Sequence, residues 1–320
     1  MKPANLRVDP YSPQRQRLWD DFVRRSKNGL FLFCRDYMDY HSDRFLDASL
    51  MVYENDHLIA VLPANRKDQD LVSHGGLTFG GVIVNEGMSV EIMLRVFEHL
   101  LVHLGEQGFC RVIYKPVPHI YHGLPAEEDL YALFVRGARL MRRDLSTTIV
   151  QHHRLPYAKG RKWSTNKARK AGLDVRPSLD FRTFMDIEEY VLRKYHDKAP
   201  VHRADEISML AGRFPEHIKL FAAYRQAEML AGVIIYESRQ VAHTQYIAAT
   251  DEGRDLGAGD LVLDTLINTF YREKPYFDFG ISTENEGLFL NAGLAQYKEN
   301  FGGRSTVYDW YEMLIPGKSQ

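Results

Sequence analysis

The chain is poor in several things at once, and each shortage removes a class of protein. It has two cysteines, Cys34 and Cys110, in 320 residues, and neither sits in a metal-ligand spacing. That excludes a disulfide framework and points to a reducing compartment, with both thiols read as small apolar core residues. No apolar run approaches the roughly 18 residues that a bilayer span needs, and Met1–Asp9 has no signal-peptide-like hydrophobic region. A cytoplasmic protein without membrane insertion is therefore expected. Charge of one sign is also missing in bulk: 41 basic against 42 acidic residues leave a net charge of −1, unlike a surface built throughout for nucleic acid. No complete Gly-x4-Gly-Lys-Ser/Thr phosphate loop is present. Apolar residues make up 45% and aromatics 12%, enough for a substantial core, and the length suits two domains.

Two halves share one order of elements. Leu50–Glu54 and Leu58–Pro63 read as a hairpin around Asn55-Asp56-His57, and Ile218–Tyr224 and Met229–Tyr236 repeat it around Arg225-Gln226. A helix follows in each half. The first runs from about Ser89 to Glu106, with Val90, Met93, Leu94, Phe97, Leu100, Leu101 and Leu104 on one stripe, Ser89 as N-cap and Gly108 as stop. Buried strands come next, Cys110–Tyr114 and Tyr276–Ile281. The order is α/β with a partly parallel sheet, and its recurrence suggests an internal duplication. In the first half the glycine-rich stretch Ser73–Gly81 replaces the pattern found in the second.

That second pattern is Arg254-Asp255-Leu256-Gly257-Ala258-Gly259, set between the strand-like Val241–Ala248 and the helix-like Asp260–Phe270. Two glycines where a strand hands over to a helix let backbone N–H groups approach an anion, and the helix N-terminus adds partial positive charge. A dinucleotide fingerprint needs a third glycine where Val262 stands. Arg154 to Lys170 carries seven basic residues and no acid in 17 positions. It reads as a solvated linker helix or as a clamp for an anion, either a coenzyme phosphate or an RNA backbone.

Arg254, Gly257 and Gly259 complete an Arg-x-x-Gly-x-Gly turn that resembles the acetyl-coenzyme A turn of the GNAT acyltransferases. Further motifs follow: Lys194–His202, Glu206, Arg213-Phe214-Pro215, Asp278-Phe279-Gly280-Ile281-Ser282, Asn291-Ala292-Gly293-Leu294 and Tyr297-Lys298-Glu299-Asn300-Phe301-Gly302-Gly303. From Lys194 to Tyr308 the chain resembles the FemAB-like branch, built from two GNAT-type domains. The resemblance implies an α/β fold of two tandem GNAT-like domains, 1–153 on the acceptor side and 177–320 on the acyl-coenzyme A side, with 154–176 as a basic linker. It implies acyl transfer, of acetyl in the first instance, from acyl-coenzyme A to an amine, with no metal. The acceptor is expected to be a small molecule, sugar amine or peptide held between the domains. The alternatives are an aminoacyl-tRNA-dependent ligase acting on a peptidoglycan precursor, and a binding protein of the same fold without turnover.

Candidate catalytic residues are His243, Glu284, Tyr297 and Lys298. Arg254, Asp255, Leu256, Gly257, Ala258 and Gly259 are the candidate cofactor-binding set. Strand alternation puts His243 and Gln245 on one face, making His243 a candidate base. Glu284 is a candidate base acting through water. The family places a tyrosine where Tyr297 stands, to protonate the leaving thiolate, and Lys298 matches the lysine before Phe-Gly-Gly, a compact charge suited to a phosphate or an oxyanion. Asp278, in an aromatic strand, is expected to pair with a buried donor. Lys115–Asp129, with His119 and His122, reads as an acceptor-binding wall or as a rigid connector into a helix over Asp129–Arg139.

Overall fold

The computed structural model describes residues 5–196 and 199–316. They divide into two units, one of residues 5–144, 285–288 and 307–316, the other of the remaining described residues. The division falls at 144/145 and not at 153/154, and the basic stretch is part of the second unit rather than a linker.

The first unit contains β1 (Leu6–Pro10), α1 (Gln16–Arg25), α2 (Arg35–Met38), β2 (Leu46–Asp47), β3 (Leu50–Glu54), β4 (His57–Leu62), β5 (Asn65–Lys67), β6 (Asp70–Val72), β7 (Ile83–Val84), α3 (Val90–Glu106), β8 (Arg111–Tyr114), α4 (Glu128–Val135) and the start of β9 (Arg139–Val150). Strands β1, β3, β4 and β7 form one antiparallel sheet. The hairpin turns as its sequence suggests, with Asn55 and Asp56 at φ 46° and 65°. A second group of strands pairs β6 with β8 in parallel and β8 with Tyr311–Leu314 in antiparallel. Helix α3 starts where expected, Ser89 accepting from the Ile92 N–H, and it buries Met93, Val96, Phe97, Leu100, Leu101 and Leu104, while Val90 stays exposed. Helix α4 ends at Val135, four residues before the expected Arg139, because Gly137 turns the chain at φ 73°.

Just after β8, Lys115 is almost wholly buried and donates to the carbonyls of His74 and Leu77 inside the glycine-rich stretch. Lys115–Asp129 is thus tied into its own unit: His122 Nε2 lies 2.9 Å from the Val117 carbonyl, and Tyr114 donates to Asp129 at 2.7 Å. Burial pushes the Lys115 pKa from 10.5 down to about 7. Between those values the unfolded chain holds the proton that the folded chain has lost, so stability rises with pH across that window. Lys115→Met is expected to flatten that rise. The difference between wild type and variant in chemical denaturation should change by about 1–3 kcal/mol from pH 7 to pH 9, at roughly 1.4 kcal/mol per unit. Parallel curves for the two proteins would show that Lys115 keeps its proton in the folded state.

The second unit takes the rest of β9, then α5 (Lys159–Lys170), β10 (Asp174–Ser178), α6 (Phe181–His196), α7 (Ala204–Arg213), β11 (Ile218–Arg225), β12 (Glu228–Glu237), β13 (Val241–Ala249), α8 (Asp251–Leu256), α9 (Ala258–Thr265), β14 (Tyr276–Ile281), β15 (Thr283–Glu284), β16 (Phe289–Leu290), α10 (Ala292–Glu299) and the start of β17 (Arg304–Leu314). Strand order is β10-β11-β12-β13-β14-β9. Strands β13 and β14 run parallel, and their pairing stops after three residues, at His243 opposite Asp278. Past that point Thr244–Ala249 has no partner in β14, so the sheet opens. One face of the sheet is covered by α9, whose Leu261, Val262 and Leu263 join Val233, Ile235, Ala242, Phe277 and Phe279 in the core. On the other lies α6, where a side chain at Gly232 would run into Phe184. No helix among the described residues is long and apolar enough to cross a membrane.

The basic stretch is helix α5, anchored to α9. Arg161 bonds both Asp260 oxygens at 2.7 Å, Arg169 bonds Asp264, and Arg154 reaches Asn268 at 2.6 Å. Three of the seven cations therefore have partners on the neighbouring helical segment, which a reading of local charge alone does not show.

Candidate functional site

The Arg254–Gly259 segment is not a direct strand-to-helix turn. A short helix, α8, intervenes: Thr250 caps it by accepting from the Gly253 N–H at 3.0 Å, and Asp251 and Glu252 favour its first turn. Arg254, Asp255 and Leu256 are consequently helical. Gly257 then turns left-handed at φ 80°, and α9 begins at Ala258. The two motif glycines differ in kind. Gly257 is required by the backbone, since its positive φ is strained for other residues and a Cβ there would meet Ser164 of α5. Gly259 is not required: its backbone is helical and a Cβ would find nothing within 4 Å. A glycine inside a helix costs about 0.5–1 kcal/mol relative to alanine, so here it keeps space open without serving the fold.

That space is a cleft of about 500 Å³. Arg254, Gly257 and Gly259 line it together with Ile247–Ala249 from the end of β13 that extends past β14, Val191 and Tyr195 from α6, Arg161 and Ser164 from α5, and Leu294, Tyr297 and Lys298 from α10. The Arg254 guanidinium stacks 4.1 Å from the Tyr195 ring. Tyr195 also donates to Asp251 at 2.9 Å, tying the motif at Lys194–His202 to the start of α8. Asp197 and Lys198 of that motif lie outside the described residues.

Lys298 is buried, not solvent-facing. Its ammonium donates to the carbonyls of Gly280 and Ile281 at 2.8 and 2.7 Å, at the end of β14 where the sheet has opened. Burial lowers its pKa to about 8, opposed by the nearby Asp278 charge. An ammonium has three donors, so one N–H is left for a ligand in the cleft. Tyr297 is committed elsewhere. Its hydroxyl donates to Asp260 at 2.9 Å, and burial beside that carboxylate holds its pKa well above the ordinary phenol range. Delivering that proton to a thiolate requires the Asp260 contact to break.

His243 and Asp278 form a pair. Asp278, with no exposed surface, accepts from Ser146 at 2.6 Å, Thr148 at 2.7 Å and His243 Nδ1 at 2.7 Å. A carboxylate only accepts, so His243 Nδ1 carries its proton and the lone pair is left on Nε2, which makes no hydrogen bond among the described residues. The expectation that Asp278 meets a buried donor is met by Ser146 and Thr148. Gln245 does not share the face of His243. The β12–β13 register passes from Ile235 opposite Thr244 to Ile234 opposite Tyr246, a bulge that skips Gln245 and puts Tyr246 on the His243 face instead. Glu284 lies in the exposed β15–β16 hairpin, accepts from Asn291 at 3.0 Å and, like His243, Asp255, Leu256 and Ala258, is not among the residues lining the cleft.

One group escaped the sequence reading. Glu188 of α6 is buried, with no hydrogen bond or ion pair to a described residue, and burial alone raises its pKa to about 7. It follows Phe184 by four positions and precedes Val191 and Tyr195 by three and seven, so it shares the helix face that packs on the sheet at Gly232 and reaches the cleft. An acidic residue on the apolar face of an amphipathic helix was the available signal. Such isolated buried acids are costly and concentrate at functional sites.

A family model for an acetyltransferase (GNAT) domain matches residues 158–299, the span that holds α5 through α10. Residues 158–299 form a GNAT domain. Around it, the chain has the two-domain, FemAB-like fold that its motifs resemble. It is similar in structure to FemX, at 10% identity over 95% of this chain and 96% of that one, with a TM-score of 0.67. It is similar to L-PGS from Bacillus licheniformis, at 13% identity over 94% and 91% with a TM-score of 0.61. A protein of unknown function from Bacteroides thetaiotaomicron VPI-5482 is alike to the same degree, at 12% identity over 97% and 100% with a TM-score of 0.61. No curated protein sequence matches the chain.

Proposed function

We propose that the GNAT domain moves an acyl group, acetyl in the first instance, from acyl-coenzyme A to an amine on a small molecule, sugar or peptide. The observation that carries this reading is Gly259, a glycine the fold does not need, lining one cleft with Arg254, Gly257 and Lys298. N–H groups at the start of α9 would meet the pyrophosphate there. The thioester carbonyl would reach the free donor of Lys298, and His243 Nε2 or Glu188 would take the proton of the attacking amine.

Calorimetric titration with acetyl-coenzyme A tests the reading. Wild type should bind saturably, and Gly259→Val should lose about tenfold or more in affinity, since overfilling a closely fitted space costs roughly 1–3 kcal/mol. The melting temperature of the variant should match wild type because no neighbour is touched. Absence of binding by wild type would remove the coenzyme A reading. The second reading is an aminoacyl-tRNA-dependent ligase, supported by likeness in fold to FemX and by Lys159 and Lys162 of α5, which form no ion pair with a described residue. Saturable tRNA binding that weakens with salt and disappears when Lys159 and Lys162 are neutralised would favour it.

A further inference from the structure

Helix α5 presents a strip beside the cleft that neither the fold nor the turn explains. Gly160, Trp163, Ser164 and Lys167 are spaced i, i+3, i+4 and i+7, so they share one side of the helix. The strip touches the Arg254–Gly259 segment twice. Ser164 lines the cleft and is the residue that a side chain at Gly257 would strike, and Lys167 donates to the Asp255 carbonyl at 2.6 Å. Next to them Trp163 is 67% exposed, with the Lys167 ammonium 5.4 Å from its ring. A tryptophan in water is the most expensive apolar group to leave uncovered, and exposed aromatic rings mark contact surfaces. On the α9 side of the helix, Arg161 and Arg169 are neutralised by Asp260 and Asp264. Lys167 meets only a carbonyl, and Lys159, Lys162 and Lys170 have no ion pair to a described residue. Lys159, Lys167 and Lys170, at i−4, i+4 and i+7 from Trp163, therefore put uncancelled positive charge on the side that carries it.

We infer that this strip is the subsite for the adenosine 3′-phosphate end of coenzyme A, with the adenine stacked on Trp163 and the phosphate held by Lys167. The inference rests on the coenzyme A reading and extends it. The ligand it requires has an aromatic plane and an anion at one end, joined to a pyrophosphate at the turn. The pieces of the strip match that order: cleft-lining Ser164 first, then the ammonium, then the indole. A stacked base contributes about 5- to 150-fold in affinity when its aromatic partner is cut to alanine. An ammonium is a compact partner for a terminal phosphate.

Titration of the full chain with coenzyme A, dephospho-coenzyme A and 4′-phosphopantetheine separates the parts. Trp163→Ala should weaken coenzyme A about tenfold and leave 4′-phosphopantetheine unchanged. Wild type should prefer coenzyme A to dephospho-coenzyme A, and Lys167→Gln should erase that preference. Because Trp163 is at the surface, equal melting temperatures will confirm that the variant is folded. Unchanged coenzyme A affinity in Trp163→Ala overturns the subsite while leaving the coenzyme A reading intact. Failure of wild type to bind any of the three overturns both. A tRNA affinity that falls in Trp163→Ala while coenzyme A affinity does not would assign the strip to RNA and overturn the proposal.

Discussion

Lys298→Met is expected to lower acyl-transfer turnover by about 10²- to 10³-fold, the loss typical of removing one donor to a developing oxyanion. The side chain is fixed by two carbonyls, Gly280 and Ile281, in the arm of the sheet that has parted from β13, and it lines the cleft. A donor held in place before the reaction needs no reorganisation when charge appears, which is why its removal should register in kcat. Acetyl-coenzyme A affinity should stay within about twofold of wild type, because the turn and α9 are untouched. The pKa near 8 adds a second signature. The ammonium is present at pH 7 and is lost as pH rises through about 8, so its contribution to kcat should fade above that pH in wild type and be absent from the variant profile. Full turnover in Lys298→Met would show that the lysine only ties down the end of β14, and equal loss of affinity would show that it shapes the coenzyme site.

What could be read from the sequence was local. Ser89 and Gly108 bracket α3 because capping depends on a few adjacent residues, and the hairpins at 50–62 and 218–236 announce themselves through alternation and turn residues. Lys298 was legible from its place before Phe301-Gly302-Gly303, although its burial was not: that depends on carbonyls 17 and 18 positions away. The misplaced features share this cause. Helix α8 exists because Thr250 caps it and because Gly253 fits against the Leu230 carbonyl of a neighbouring strand. Gln245 leaves the expected face because β12 sets the register. The basic stretch stops being a linker once Asp260 and Asp264 come to meet it across about 95–99 residues. Pattern gave the elements and a shortlist for the site, and long-range pairing decided which members of the shortlist meet.

Asp278→Ala should destabilise the chain by about 3–5 kcal/mol, measured by chemical denaturation, because it strands donors in a place without water. Ser146, Thr148 and His243 all point at this carboxylate, and none of its surface is exposed. Asp278→Asn separates structure from chemistry. Hydroxyl groups rotate, so Ser146 and Thr148 can accept from the new amide while its oxygen still takes the His243 Nδ1 proton, and the cost should shrink to about 1 kcal/mol. The negative charge is gone, however, and with it the partner that favours a protonated imidazole. If His243 Nε2 takes the proton of the attacking amine, Asp278→Asn should fold nearly as well as wild type and turn over at least about tenfold more slowly. If Glu188 takes it instead, Asp278→Asn should be nearly fully active and Glu188→Gln, relieved of a buried acid that pairs with no described residue, should be stable but slow. The two variants assayed side by side decide which buried group acts as the base, since each alters one and leaves the other in place.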